Sequence, residues 1–237
     1  MTRVAMLADI HGNADALQSV LHEARAAGAT ELVVLGDLVG YYYQPRRVLD
    51  LLAQWPCTVI RGNHEELLQK WMRDGPEARE ALRLRYGSGL QACAEQLSAA
   101  QIRWLGTLSH PLSRQVDGVQ ALLCHGHPGN IDQYVYPDRV ESAIAPEDAA
   151  GASIMWLSHT HYPMDFSRGA LRVCNPGSVG QPRDYDPRAA WALWDAAAGT
   201  VTLRRTIYDS SALLASIAAR DPDVPYLGSV LTRTERA

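Results

Sequence analysis

The sequence lacks the features that mark several whole classes of protein. Its four cysteines, Cys57, Cys93, Cys124 and Cys174, are scattered and form no CxxC pair. That argues against a disulfide framework or a sulfur-ligated zinc site. No apolar run approaches the roughly 20 residues needed to span a bilayer. The opening stretch MTRVAMLADIHGN reaches Asp9 too soon to contain the apolar core of a signal peptide. Charge of one sign is not in large excess: the net charge is −4 over 237 residues. Such a balance gives no global attraction to nucleic-acid phosphates or anionic membranes, while leaving room for a local basic pocket. No Ser/Gly/Pro-rich linker, shift in composition or internal repeat divides the chain. What remains is a reduced, cytoplasmic globular protein with no membrane partner and no stable nucleic-acid partner. A single domain is expected over residues 1–220. The polar, Pro-containing tail, 221–237, is expected to form a peripheral or partly ordered arm.

What is present begins as an alternation of strand and helix signals. RVAMLA, ELVVLGD and CTVIRGN read as strands. Between them, NADALQSVLHEARAAG and PRRVLDLLAQW carry apolar residues at helical spacing, with an Asn cap before the first and Pro45 at the start of the second. Short joins of this kind predict parallel strands with helices on the sheet faces. Residues 65–108 read as helical, with a capping-box pattern at Ser98 and Gln101. A hairpin follows, turning at Asp117-Gly118, then a helix around Pro137 to Ala150. Short runs ending in Gly, Asn and Pro complete a more antiparallel second half.

The polar residues fall at the ends of the apolar runs. The first run ends in Asp9-Ile10-His11, the second in Gly36-Asp37 and the third in Gly62-Asn63-His64. VQALLC ends in His125-Gly126-His127, and SIMWLS in His159-Thr160-His161. Ligand crevices of open α/β sheets form at that edge. In extended chain, side chains alternate, so Asp9 and His11 would share a face, as would His159 and His161. Cys124, Cys174 and Thr160 would point away. A single DxH or HxH carries little weight, but six of the eight histidines lie at these strand ends. Clustered oxygen and imidazole donors without thiolates suit divalent transition metals. The set is too large for one ion and fits a pair sharing a carboxylate.

The ordered set DIHGN, LGDLVG, RGNHE, CHGH and SHTH resembles the calcineurin-like metallophosphoesterase superfamily, and CNPGSVGQPR is similar to its small bacterial and archaeal phosphodiesterase branch. The resemblance implies a four-layered α/β/β/α sandwich, with two mixed sheets flanked by helices. It implies one metal held by Asp9, His11 and His161, a second by Asn63, His125 and His159, and Asp37 bridging them. His64 matches a histidine that contacts the phosphate and protonates the leaving group. The activity expected is hydrolysis of a small phosphoester, nucleotides among the candidates, by metal-bound hydroxide. A diester is preferred; a monoester or a non-catalytic metal-binding scaffold is the alternative. Two divalent ions are expected as cofactors, manganese first, with iron, zinc, nickel or cobalt as alternatives. Asp15, Glu65 and Glu66 are candidates for orienting ligand imidazoles. His127, Arg183, Tyr41 and Tyr43 are candidate substrate contacts. A homodimer is expected only because symmetric dimers are common.

Overall fold

Strand β1 (Arg3–Leu7) is apolar almost throughout because both of its faces are covered. Ala5 and Leu7 pack beneath helices, whereas Val4 and Met6 face a second sheet. In the computed structural model, which describes residues 2–235, β1 leads into α1 (Ala14–Ala26). The Asn13 side chain caps this helix by accepting from the Ala16 N–H at 3.1 Å. Strand β2 (Glu31–Val34), α2 (Pro45–Leu52) and β3 (Cys57–Val59) follow, and the three strands pair in parallel.

The middle is helical, as expected: α3 (Asn63–Arg73), α4 (Pro76–Tyr86), α5 (Gly89–Gln96) and α6 (Ala99–Thr107). Ser98 and Gln101 exchange reciprocal bonds at the start of α6. Strands β4 (Leu112–Val116) and β5 (Val119–Leu123) form the hairpin, with Asp117 and Gly118 both at positive φ. The helix expected from Pro137 to Ala150 is not continuous. It is replaced by α7 (Val140–Ala143) and a short 3₁₀ turn at Pro146–Ala149. Pro146 lacks an N–H and pushes Ala145 into extended backbone, so α7 cannot run on. The chain ends with β6 (Ile154–Trp156), β7 (Met164–Arg168), β8 (Leu171–Asn175), β9 (Ala189–Asp195), β10 (Thr200–Thr206), α8 (Ser211–Arg220) and α9 (Tyr226–Ser229).

Two five-stranded mixed sheets result, ordered β10-β9-β1-β2-β3 and β4-β5-β6-β8-β7. The parallel and antiparallel parts do not follow chain order: β9 and β10 return to the free edge of β1, while β5, β6 and β8 pair in parallel. The sheets pack face to face through Val4, Met6, Val33, Leu35, Leu123 and Trp156, with Trp156 and Trp194 5.9 Å apart. Helices cover the outer face of the first sheet. Val135, Val140 and Ile144 cover that of the second. This is the expected α/β/β/α sandwich. Among the described residues no helix is long and apolar enough to cross a membrane.

The tail from Asp221 is packed rather than peripheral. Val224, Leu227, Val230 and Leu231 are buried against Tyr41, Tyr42 and Tyr43. Asp221 is fully buried and accepts from the Tyr43 hydroxyl at 2.8 Å, the Ser88 N–H at 2.8 Å and the Ser88 hydroxyl at 2.9 Å. Residues 236–237 of the expected arm lie outside the described residues, as does residue 1.

Candidate metal centre

The strand ends of both sheets converge on one crevice. Asp9 and His11 follow β1, Asp37 follows β2, and Asn63 and His64 open α3 just after β3. His125 follows β5, and His159 and His161 follow β6. The expected extended backbone is absent at these positions. Asp9, His11, Asp37, His159 and His161 all have φ between 51° and 69°. Their common direction comes from left-handed backbone just past each strand, not from pleating. Such a conformation costs roughly 1 kcal/mol or more per non-glycine residue, and Asp and His tolerate it better than most. The surrounding hydrogen bonds over-determine it: the N–H groups of His11 and Gly12 donate to the carbonyls of Asp37 and Leu38, and the Ser178 hydroxyl donates to the Asp9 carbonyl at 2.7 Å.

The donors form three overlapping groups: Asp9, His11 and His161; His11, Asp37 and His64; and Asp37, His125 and His159. His11 Nε2 lies 3.3 Å from His161 Nε2, and His161 Nε2 lies 3.6 Å from Asp9 Oδ1. On the other side, His125 Nε2 is 3.1 Å from His159 Nδ1 and 3.0 Å from Asn63 Oδ1. Asp37 Oδ2 lies between the two sides, 3.6 Å from His11 Nε2 and 3.4 Å from His125 Nε2. The far nitrogen of each imidazole faces a backbone carbonyl: His11 Nδ1 that of Val39 at 3.1 Å, His125 Nδ1 that of Leu35 at 2.9 Å, His161 Nδ1 that of Gln181 at 2.5 Å and His159 Nε2 that of Asp132 at 3.2 Å. A carbonyl only accepts, so each ring places its N–H there and turns its lone pair toward the shared point.

Electrostatics favour the same state. Burial, more than any neighbour, holds His11, His64, His125 and His161 well below the ordinary imidazole range and His159 at about 4. These rings are neutral near pH 7, as ligation requires. Burial likewise pushes the Asp9 and Asp37 carboxyls well above their usual range, and Glu65 and Asp9 add to the rise at Asp37. Asp9 Oδ1 is buried without a hydrogen-bond partner. Two buried carboxyls, one with an unmet oxygen, beside converging imidazole lone pairs fit divalent cations.

Glu65, Asp15 and Glu66 do not orient the imidazoles. Glu65, fully buried, accepts from the backbone N–H groups of Asp37 (2.9 Å), Leu38 (2.9 Å) and Gly62 (2.7 Å). It therefore joins two of the ligand-bearing loops. Asp15 pairs with Arg47, and Glu66 with Arg61. Asn175 donates to the Ser158 carbonyl and the Thr160 hydroxyl, both at 3.2 Å, and so holds the SHTH loop.

A cavity of about 210 Å³ opens above the donors, lined by Asp37, Tyr41, Asn63, His64, Arg85, Tyr86, Tyr134, His159, His161, Arg183 and Tyr226. Of the expected substrate contacts, Tyr41 and Arg183 line it, and Arg183 Nη2 donates to the Tyr41 hydroxyl at 3.1 Å. Tyr43 does not, because its hydroxyl is bound to Asp221 beneath the tail. His127 also lies elsewhere, with Nε2 3.4 Å from Asp148. Arg85, Tyr86 and Tyr226 were not legible as site residues. They come from α4 and the tail, far in sequence from any donor motif. Only their aromatic and cationic character could have drawn notice.

The comparisons agree with this geometry. The family model for the calcineurin-like phosphoesterase superfamily domain matches residues 2–198. The chain is 26% identical over 226 residues to an uncharacterized protein of Methanocaldococcus jannaschii, covering 87% of this chain and 88% of that one. It is 26% identical over 208 residues to phosphodiesterase YfcE of Escherichia coli, covering 82% and 88%. The crystal structure of a hypothetical protein from Pyrococcus horikoshii superposes with a TM-score of 0.83 at 26% identity, covering all of both chains. A metallophosphoesterase from Sphaerobacter thermophilus gives 0.77 at 26% identity, covering 99% of each. With the motifs, the two-sheet sandwich and the family match in agreement, the chain belongs to the calcineurin-like phosphoesterase superfamily and is a phosphoric ester hydrolase.

Proposed function

We propose that this hydrolase cleaves a small phosphodiester at a pair of divalent cations, with manganese the first candidate. Asp9, His11 and His161 would hold one ion, and Asn63, His125 and His159 the other, with Asp37 shared. The observation that carries this reading is the tautomer pattern: four buried rings tied by one nitrogen to a carbonyl and aimed by the other at two adjoining points. Bound cations supply the charge that lowers the pKa of a water and neutralises phosphate oxygens.

The remaining work falls to the chain's own side chains. His64 is held by its backbone N–H, which donates to Asp37 Oδ1 at 2.8 Å, and by ring contacts of 4.7 Å with both His11 and Tyr41. Fixed there, its imidazole stabilises or protonates the leaving oxygen. Tyr41 and Arg183 meet the part of the substrate beyond the scissile phosphate, from the cavity wall. The relative named as a phosphodiesterase supports the diester preference.

The test is hydrolysis of bis-p-nitrophenyl phosphate and p-nitrophenyl phosphate with added Mn²⁺, before and after chelation. The expected result is faster turnover of the diester, lost on chelation and restored by metal. Absence of metal-dependent hydrolysis of either ester overturns the proposal.

A further inference from the structure

Two guanidinium groups line the cavity, and among the described residues no carboxylate lies within ion-pairing distance of either. Arg183 donates only to neutral oxygens, the Tyr41 hydroxyl at 3.1 Å and Gln181 Oε1 at 2.9 Å. Arg85, on α4, lies over the Tyr86 ring with Cζ 4.9 Å from its centroid. Among the described residues neither forms an ion pair with an acidic side chain, although most arginines of the chain do so or bond backbone carbonyls. An arginine facing a cavity without an acidic partner is a ready receptor for a ligand oxyanion. On the reading above the scissile phosphate would meet the donor set and His64, which leaves these two cations for another group.

A second feature points outward. The ring of Tyr134 stacks on that of His159 at 4.1 Å, and Tyr136 stacks on Tyr134 at 5.6 Å with the planes 7° apart. Tyr136 also meets Tyr162 edge-on at 5.6 Å. Tyr134 and Tyr136 are 46% and 38% exposed, and they line an outer groove of about 760 Å³. Tyr134 belongs to this groove and to the inner cavity alike. Exposed parallel aromatic faces running away from a phosphate site suit a planar heterocycle.

We infer that the substrate is a nucleotide carrying at least one phosphate beyond the scissile one, the further phosphate held by Arg85 and Arg183 and the base by Tyr134 and Tyr136. This rests on the phosphoesterase reading above but adds residues and a substrate class to it. Arg85 is the specificity-determining residue. It is exposed on its helix, so its replacement removes no core packing.

The inference is tested in two ways. In the first, ADP and adenosine are titrated calorimetrically into metal-free protein, so no turnover is involved. ADP is expected to bind more tightly than adenosine, and Arg85→Ala to weaken ADP about tenfold, the usual worth of one charged hydrogen-bonding contact. In the second, kcat/KM is measured with Mn²⁺ for bis-p-nitrophenyl phosphate, the p-nitrophenyl ester of thymidine 5′-phosphate and diadenosine tetraphosphate. These carry neither feature, a base alone, and a base with further phosphates. Arg85→Ala is expected to cost hydrolysis of the tetraphosphate, at a phosphoanhydride, about tenfold more than that of either ester, mainly through KM. Equal losses on all three, or equal ADP affinity in Arg85→Ala and the unaltered protein, overturn the inference. Failure to hydrolyse any of the three compounds would count against the catalytic proposal, while the calorimetric arm would still decide this one.

Discussion

Under the proposed reading, single residues in this centre would do separable jobs, and the separation is measurable. Asp37 Oδ2 stands near imidazoles of both donor sets, so Asp37→Ala is expected to lose metal and activity together, as read by elemental analysis beside turnover. His64 faces the cavity from the start of α3, so His64→Ala is expected to keep the metals yet lower kcat by about 10²-fold or more. The loss should be steepest for esters with poor leaving groups; full turnover would refute the role. Glu65 bonds backbone N–H groups, so its role is read in stability. Its carboxylate serves three buried backbone N–H groups. Glu65→Ala would leave them unmet, at a cost of about 3–5 kcal/mol in chemical denaturation.

At the scale of elements, the loops after the strands bring the candidate donors together because the strands end together and the backbone then turns left-handed. The donor motifs were legible: each is a short string of Asp, Asn or His directly after an apolar run. The way they turn was not, since period-2 alternation describes strands, and Asp9, His11, His159 and His161 lie just beyond them. Tyr43 was misread for a related reason. Being near Asp37 in sequence says nothing of direction once Gly40 and Tyr41 have both taken positive φ. Gly40 itself has φ 89°, and a Cβ there would stand 2.0 Å from His64 Nδ1. Gly40→Ala is therefore expected to displace the His64 ring, reducing turnover while the metal content of the purified protein stays near that of the unaltered chain.

For the molecule as a whole, strand order could not be read from local pattern, because β9 reaches β1 only after nearly the whole chain has intervened. The tail carried a signal that its Pro and Asp residues obscured: Val224, Leu227 and Leu231 recur at helical spacing and are buried. Ligand binding to the folded form alone raises global stability, by about 2.7 kcal/mol at a hundredfold excess over Kd. Thermal unfolding should therefore move to lower temperature on chelation and return when Mn²⁺ is restored. An unchanged midpoint would show that the folded protein holds no ion under those conditions.

The two donor sets have a temporal consequence. His11 and His161 stand 150 residues apart and come from different sheets, yet their nitrogens lie 3.3 Å from each other. No early, locally folded portion of the polypeptide can offer that chelate. Tight capture of a cation by both rings would have to wait until both sheets have docked, so the moment of metal uptake would mark the close of folding.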